Sequence, residues 1–362
     1  MSREIISGKQ GLSIVVIFMA GTSSILSLAL EAKEDIWLAI ILSVLMSITV
    51  SLIFVNLHFN FPGKNLFDIC EICFGKSIGK LFILLFTWFT FEEASQTLIN
   101  NSQFLEDTAL AETPTIVPRM FILILCVWIV KGGIELIGKW SDLFIIPFII
   151  FVFISVVLLI PEMDIDNIFP ILDNGITPVI EGAYSAFTFP FGETVILSLV
   201  FSRFKTKKSY YTTYIFGLII GGICSLALSL STVLTIGSTQ ALQTYYSTYN
   251  TVSKIDISDF IQRLEVISTL IFVIGSFLKI SILLLASSIG ISKLFNFESY
   301  RFIVTPVSLS IINLSFISFD NRMSFVEWNS NGWLYYSFLF EVILPVIIFI
   351  TAKIKNVKKA PS

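Results

Sequence analysis

The sequence predicts an all-α, polytopic membrane protein of about ten transmembrane helices, built as two inverted repeats of five helices. Of the 362 residues, 55% are hydrophobic and only 14% are charged, and the mean hydropathy is +0.87. The charged residues fall in short clusters between long apolar stretches, as expected when lipid surrounds the helices. The first and the sixth of these stretches each carry an interruption at a similar depth, which is typical of inverted-repeat transporters.

Ten segments are long and apolar enough to cross a hydrocarbon core of about 30 Å. We number them helices one to ten. They lie at about 12–30, 36–57, 81–105, 117–132, 141–160, 178–201, 211–236, 264–290, 302–319 and 333–352. The whole chain, 1–362, is therefore predicted to be a single transmembrane domain. Its first repeat would cover about 10–160 and its second about 176–354.

The distribution of lysine and arginine predicts the orientation of the chain. Seventeen of the 23 basic residues lie in the termini and the connections after even-numbered helices, five lie on the other side, and Lys279 lies within a span. Because cytoplasmic loops carry the excess of basic residues, both short termini are predicted to be cytoplasmic. Two connections are expected to form interfacial helices: residues 58–80 on the cytoplasmic side, and residues 237–263 outside, where three tyrosines would cap a vestibule.

The interruptions in helices one and six are predicted to line a ligand cavity. An irregular backbone at membrane depth is tolerated only where it faces a cavity or protein. In helix six, proline removes a backbone donor and glycine loosens the turn. The half-helix ends would offer N–H groups to a carboxylate, and carbonyl groups to a cation. The predicted ligand-binding residues are Gly21, Thr22 and Ser23 in helix one, and Phe189, Pro190, Phe191, Gly192 and Glu193 in helix six.

A simpler interpretation of these interruptions stays open. The glycines would then allow close helix packing, and the proline would only kink its helix.

The outer half of helix three is polar. One face carries Glu92, Gln96, Asn100 and Gln103 at steps of four, four and three. The adjacent Glu93 points about 100° away, so one face cannot hold both glutamates. We expect at least one of them to face a polar cavity and to exchange protons, and Gln96 to line the same cavity. The alternative is a structural pair with a neighbouring helix.

Lys279 lies inside helix eight, where an ammonium group needs a partner. One hypothesis places it where related folds bind sodium between helices one and eight, with the ammonium group in place of the ion. In the alternative, the side chain extends to the inner headgroups. Glu341 in helix ten and Glu181 near the outer end of helix six are weaker candidates for functional carboxyls.

Metal and enzyme chemistry have little support in the sequence. Cys70 and Cys73 have a CxxC spacing, but no second pair follows, and His58 is predicted to stand alone in a loop. Neither an HExxH nor a GxSxG motif is present. We therefore predict no catalytic residue, no metal, no cofactor and no enzymatic activity, and we expect no nucleic acid partner.

Several short motifs are distributed along almost the whole chain. They are Pro62-Gly63 with Gly75 and Gly79-Lys80, then Asn167-Ile168-Phe169-Pro170 with Gly175, Pro178 and Gly182, then the segment 189–193, and finally Asp259-Phe260-Ile261 with Arg263-Leu264-Glu265. In order and spacing they resemble the endospore germination permease family, the B subunits of nutrient germinant receptors. This family is a branch of the amino acid-polyamine-organocation superfamily.

The resemblance implies a LeuT-type fold in the spore inner membrane, beside an A subunit and a lipoprotein C subunit. It also implies that a small nutrient, often an amino acid, binds in a central cavity and triggers germination. A second hypothesis is a proton- or sodium-coupled amino acid or polyamine permease, with Glu92, Glu93 or Glu193 as the titrating group. Both hypotheses need the same cavity, so the sequence leaves both open.

Overall fold

The computed structural model describes residues 5–206, 208–255 and 264–355. Over these ranges the chain forms a bundle of ten helical spans, which confirms the predicted all-α fold. Six of these spans are long and apolar enough to cross a membrane by length and composition. The ten spans are Gly8–Ala20, Ile36–Asn60, Leu66–Thr108, Ile116–Gly132, Ile134–Leu159, Thr177–Thr188 continued by Thr194–Val200, Lys208–Gln243, Leu264–Leu294, Val304–Ile317 and Arg322–Ile354.

Helix one starts with a capping box and ends at its interruption. The Gln10 amide donates to Ser7 Oγ at 3.1 Å, and the Ser7 amide donates to Gln10 Oε1 at 3.0 Å. The helix ends at Ala20 and is followed by a single 3₁₀ turn, Thr22–Ser24. The predicted helix over 12–30 is therefore wrong beyond this turn.

The physical reason lies in how the backbone amides after the turn are satisfied. The Leu28 amide donates to Ser229 Oγ of helix seven at 3.0 Å, and the Ser27 amide donates to Ser247 Oγ at 3.2 Å. Because serine hydroxyls take the place of helical carbonyls, this segment of the chain does not need to be helical.

Helix six is interrupted where the sequence predicts it. Its first half ends at Thr188, and Phe189 is extended, with φ −151° and ψ 115°. A 3₁₀ turn, Phe191–Glu193, leads into the second half. Pro190 has no N–H to continue the helical hydrogen bonds, which explains the position of the break. The predicted broken helices one and six are thus confirmed.

Several predicted helix boundaries are wrong. Helix three continues back to Leu66, and Gly75, with φ 77°, separates residues 66–74 from the rest of the helix. His58 lies in the last turn of helix two, where it is buried, and not in the loop that follows. Helix ten starts at Arg322 and not near 333, because Asn321 Oδ1 caps it by accepting from the Ser324 amide at 2.9 Å.

The termini and several connections meet at one end of the bundle, which we call the amino-terminal end. There the Ile6 amide donates to the Arg203 carbonyl at 3.2 Å, and the Lys205 amide donates to the Ile6 carbonyl at 3.1 Å. Lys293 pairs with Asp68 at the same end. The first two contacts join the amino terminus to the connection after helix six, and the third joins the end of helix eight to the start of helix three. That this end is cytoplasmic stays a prediction, as do the repeat boundaries 10–160 and 176–354.

A buried arginine ties three helices together near the other end. Arg119 of helix four is only 6% exposed. Its Nε donates to Ser102 Oγ of helix three at 2.9 Å, and its Nη1 donates to the Ser315 carbonyl and hydroxyl of helix nine at 2.9 and 3.0 Å. The guanidinium group also lies 4.4 Å from the centre of the Phe316 ring. The five N–H donors of a guanidinium group lie in one plane, so a single arginine can bond to several helices at once.

Helices one and eight approach closely beside the interruption of helix one. A Cβ atom on Gly275 would lie 3.0 Å from Gly21 Cα, which is closer than side-chain carbons normally pack against a backbone. Two glycines therefore allow the contact between these helices. Helix six is the most enclosed of the six long spans. In its 18-residue apolar stretch 83% of the residues are buried, against 33% in the corresponding stretch of helix five. Helices one, six and eight thus form the interior of the bundle.

Candidate functional site

A cavity of about 250 Å³ lies between helices one, three, six, eight and ten. It extends toward the end opposite the amino terminus, where residues 28–31 and Tyr245 line it. Five of the residues predicted to form the site also line this cavity. They are Thr22, Glu93, Gln96, Phe189 and Lys279.

Lys279 forms the centre of a buried charge cluster at the cavity wall. It lies half-way along the 31-residue helix eight, and its side chain is only 2% exposed. Its ammonium nitrogen is 2.6 Å from Glu193 Oε2 of the helix-six interruption and 3.0 Å from Glu93 Oε1 of helix three. The lysine therefore has two carboxylate partners, and the alternative in which it extends to the headgroups is wrong. Two buried acids hold the ammonium group in place.

Two aromatic rings complete the environment of this ammonium group. Lys279 Nζ is 4.5 Å from the centre of the Phe189 ring and 5.2 Å from that of Phe18. Both rings lie within the range of cation–π attraction. Helices one and six are thus linked electrostatically to helix eight, and the link includes the Phe189 residue at which helix six breaks.

The two adjacent glutamates of helix three have different surroundings. Glu93 lines the cavity and pairs with Lys279, whereas Glu92 lies outside the cavity lining. Glu92 Oε1 accepts a hydrogen bond from Gln96 Nε2 at 3.2 Å. The electrostatic neighbours of Glu92 include Tyr336 of helix ten. Of the two, Glu93 is therefore the cavity carboxylate.

Several predicted ligand residues lie behind the cavity wall and not on it. Gly21 packs against Gly275, and Ser23 Oγ donates to Ser225 Oγ of helix seven at 2.8 Å. In the helix-six interruption, Pro190, Phe191, Gly192 and Glu193 are buried and absent from the lining. Glu193 is linked to the cavity wall by its ion pair with Lys279. These residues shape the two interruptions and do not face the cavity.

Besides the two carboxyl oxygens of Glu93, three polar atoms on the lining residues have no hydrogen-bond partner among the residues that the structure describes. They are Thr22 Oγ1, Asn100 Oδ1 and Ser276 Oγ, from helices one, three and eight. Sequence reasoning placed Asn100 on the polar face of helix three but missed Ser276, since a single serine in an apolar helix carries no signal. Buried polar groups are normally paired, so three unpaired ones around one cavity favour a polar ligand.

An aromatic and ionic cluster lies at the end of the cavity opposite the amino terminus. Arg322 Nη2 is 2.6 Å from Asp107 Oδ2, and the guanidinium carbon lies 5.4 Å from the Tyr245 ring centre. Tyr246 packs beside them, and its burial raises the pKa of its phenol, so the hydroxyl stays neutral. The predicted external cap corresponds in part to the short helix Ser247–Val252. Residues 256–263 of the predicted cap, with Asp259, Phe260, Ile261 and Arg263, lie outside the described residues.

Glu341, one of the two weaker candidates in the sequence, lies deep inside the bundle. It is fully buried, and a Cβ atom placed on Gly192 would collide with its carboxylate. Glu341 therefore lies directly against the interruption of helix six. Glu181, the other weak candidate, is exposed. No group of three or more potential metal ligands was found among the described residues.

The broken helices and the polar cavity between them define a transporter-like membrane protein of the LeuT-type fold. The solved structure of Mhp1, a nucleobase-cation-symport-1 family transporter, in a closed conformation with bromovinylhydantoin bound, matches 94% of this chain and 77% of its own. The TM-score is 0.70 at 11% sequence identity, so the likeness shows the fold.

Residues 5–323 match the family model of the spore germination protein permeases. The chain belongs to this family, as the motifs predict. Spore germination protein KB of Bacillus subtilis (strain 168) is 26% identical, over 100% of this chain and 98% of its own length. The putative spore germination protein YfkT of the same organism is 22% identical over 90% and 89%. Spore germination protein XB of Bacillus anthracis is 23% identical over 69% and 70%.

Proposed function

We propose that this protein is a transporter-like nutrient germinant receptor subunit, which binds a small molecule in the cavity and thereby triggers spore germination. We propose an amino acid as the ligand. The observation that carries the proposal is the cavity itself, in which Glu93 and three unpaired polar atoms converge from helices one, three and eight. Family membership supports the role in germination.

The size and chemistry of the cavity suit a small zwitterion. Ligand pockets for drug-sized molecules occupy about 300 to 1,000 Å³, so a cavity of about 250 Å³ suits a smaller molecule. Glu93 and Asn100 Oδ1 would accept hydrogen bonds from an ammonium group. The hydroxyls of Thr22 and Ser276 would donate to a carboxylate, together with the remaining N–H of Lys279.

Ligand binding would act by shifting the conformational population. The cavity wall contains both interrupted helices, so a ligand that contacts Thr22 and Phe189 favours one arrangement of helices one and six. We propose that A and C subunits of the receptor detect this change, in the spore inner membrane. We also propose that both termini are cytoplasmic, because 17 of the 23 basic residues lie in the termini and in the connections after even-numbered helices.

The first test is ligand-dependent thermal stabilisation of the purified protein, screened against amino acids, sugars and nucleosides. A ligand that binds only the folded protein raises its apparent stability. We expect an amino acid to raise the melting temperature of the wild-type protein. Glu93→Gln should weaken binding by about 10- to 100-fold, because a hydrogen bond to a charged group is worth about 1.5–3 kcal/mol.

Glu92→Gln provides the matched control, since it makes the same change at the next position of helix three. It should leave affinity within about 3-fold of the wild-type value, because Glu92 does not line the cavity. Equal effects of the two variants on affinity would contradict the assignment of Glu93. Stabilisation by sugars or nucleosides alone would contradict the proposed class of ligand.

A second candidate function is a proton- or sodium-coupled amino acid or polyamine permease. The fold neighbour, a nucleobase-cation-symport-1 family transporter, favours it. Uptake of the stabilising ligand into proteoliposomes, with and without a proton or sodium gradient, separates the two functions. Gradient-driven accumulation would establish transport, and binding without accumulation would support the sensor.

A further inference from the structure

Glu341 is a buried carboxyl group with no protein partner in the described chain. Its relative exposure is 0%, and neither carboxyl oxygen has a hydrogen-bond partner among the described residues. It lies in the π-helical segment Leu339–Ile343, one of two such segments in helix ten. Such segments often mark functional sites, because they re-aim a side chain at the cost of regular hydrogen bonding.

The charges that face Glu341 do not compensate it. Glu193 and Tyr184 face it from helix six, Glu93 from helix three, and Lys279 from helix eight. The Lys279 ammonium group is already bonded to Glu193 and lies 3.0 Å from Glu93. If all four charged groups were ionised, the cluster would carry three negative charges and one positive charge. Such an excess is strongly unfavourable away from water.

Glu341 also contacts the backbone of the helix-six interruption. A Cβ atom placed on Gly192 would overlap Glu341 Oε2. The same Cβ position lies 2.9 Å from the Phe187 carbonyl oxygen. A neutral carboxyl group at this place would be able to donate a hydrogen bond to that carbonyl, whereas an ionised one offers only acceptors. The surrounding charge and the complete burial of Glu341 therefore favour a bound proton.

We propose that Glu341 is a proton-binding site, separate from the ligand cavity, at which a neutral carboxyl group holds the helix-six interruption in place. Glu341 is absent from the cavity lining, so the proton and the small molecule occupy different sites. The proton comes from solvent. Its loss would ionise Glu341 and add a third negative charge to those of Glu93 and Glu193. Repulsion would then act on the interruption itself. The proposal holds whether the protein senses its ligand or transports it.

Infrared spectroscopy of the full-length protein in detergent at neutral pH tests the proposal. Protonated carboxyl groups absorb separately from carboxylates. We expect a protonated carboxyl band in the wild-type protein, and a loss of intensity equivalent to one carboxyl group in Glu341→Gln. Glu181→Gln, a change at an exposed glutamate, should leave the band unchanged. Absence of the band in the wild-type protein, or an unchanged band in Glu341→Gln, would overturn the proposal.

Thermal unfolding gives an independent measurement. Glutamine resembles a neutral carboxyl group in size and charge, so Glu341→Gln should melt within about 2 °C of the wild-type protein. The competing possibility is an ionised Glu341 that binds a metal cation. In that case the wild-type melting temperature would rise with sodium or potassium chloride, relative to choline chloride, and the variant would lose this response. That result, or failure of the variant to fold, would contradict a neutral Glu341.

Discussion

Lys279→Met is expected to destabilise the folded protein by about 3 to 5 kcal/mol, because it leaves the buried Glu93 and Glu193 carboxylates without their cation. Loss of one partner of a buried ion pair costs far more than the pair contributes to stability, since the remaining charge cannot be hydrated. The measurement is the yield of monodisperse protein and its unfolding temperature in detergent. We expect little folded protein from this variant.

Two further variants make the Lys279 prediction specific. Lys9→Met removes a lysine whose ion pair with Asp142 is exposed, and it should cost at most about 1 kcal/mol. Adding Glu193→Gln to Lys279→Met removes one uncompensated charge, so it should restore part of the stability. If Lys279→Met folds as well as Lys9→Met, the buried cluster does not contribute to stability as its geometry indicates.

Gly275→Leu should separate helices one and eight and cost about 1 to 3 kcal/mol, because the new side chain meets the backbone of Gly21. The same displacement would move Thr22 and Ser276, which line the cavity and directly follow these two glycines in the sequence. We therefore expect ligand-induced stabilisation to fall together with the unfolding temperature. Both are measured in the thermal-shift experiment.

A pair of alanine variants controls for the change in helix propensity. Gly221→Ala would place a methyl group 3.5 Å from Met19 Cβ, an ordinary packing distance, whereas Gly275→Ala would place one 3.0 Å from Gly21 Cα. Alanine favours a helix over glycine by up to about 1 kcal/mol, so Gly221→Ala should be neutral or stabilising. A similar gain in Gly275→Ala would show that the contact between helices one and eight is not tight.

The sequence predicts the helices and their interruptions well, for a clear physical reason. Length, hydropathy and the local chemistry of proline and glycine determine where a backbone can stay helical in lipid, and Pro190 and Gly21 carry that information locally. Where a hydrogen-bond partner is distant in sequence, the prediction fails. Ser27 and Leu28 leave the helix because Ser247 and Ser229, more than 200 residues away, satisfy their backbone amides.

The candidate site was predictable in part. Helical geometry separates Glu92 from Glu93, but it does not say which of them faces inward, because that depends on how helix three is rotated in the bundle. Lys279 needs a partner in any membrane structure, yet nothing local indicates that Glu93 and Glu193 supply it. Glu341 reaches the interruption of helix six through a π-helical segment, and periodicity at 3.6 residues per turn does not predict such a segment.

The backbone bridge at Ile6 offers a native reporter of alternating access. Any opening of the amino-terminal end between helix one and the connection after helix six would break the two hydrogen bonds that join Ile6 to Arg203 and Lys205. The Ile6 and Lys205 amides would then exchange their hydrogens with solvent at a rate set by that opening. A protein that opens this end of the bundle in each transport cycle would expose both amides at every turnover, whereas a sensor that stays closed at this end would keep them protected.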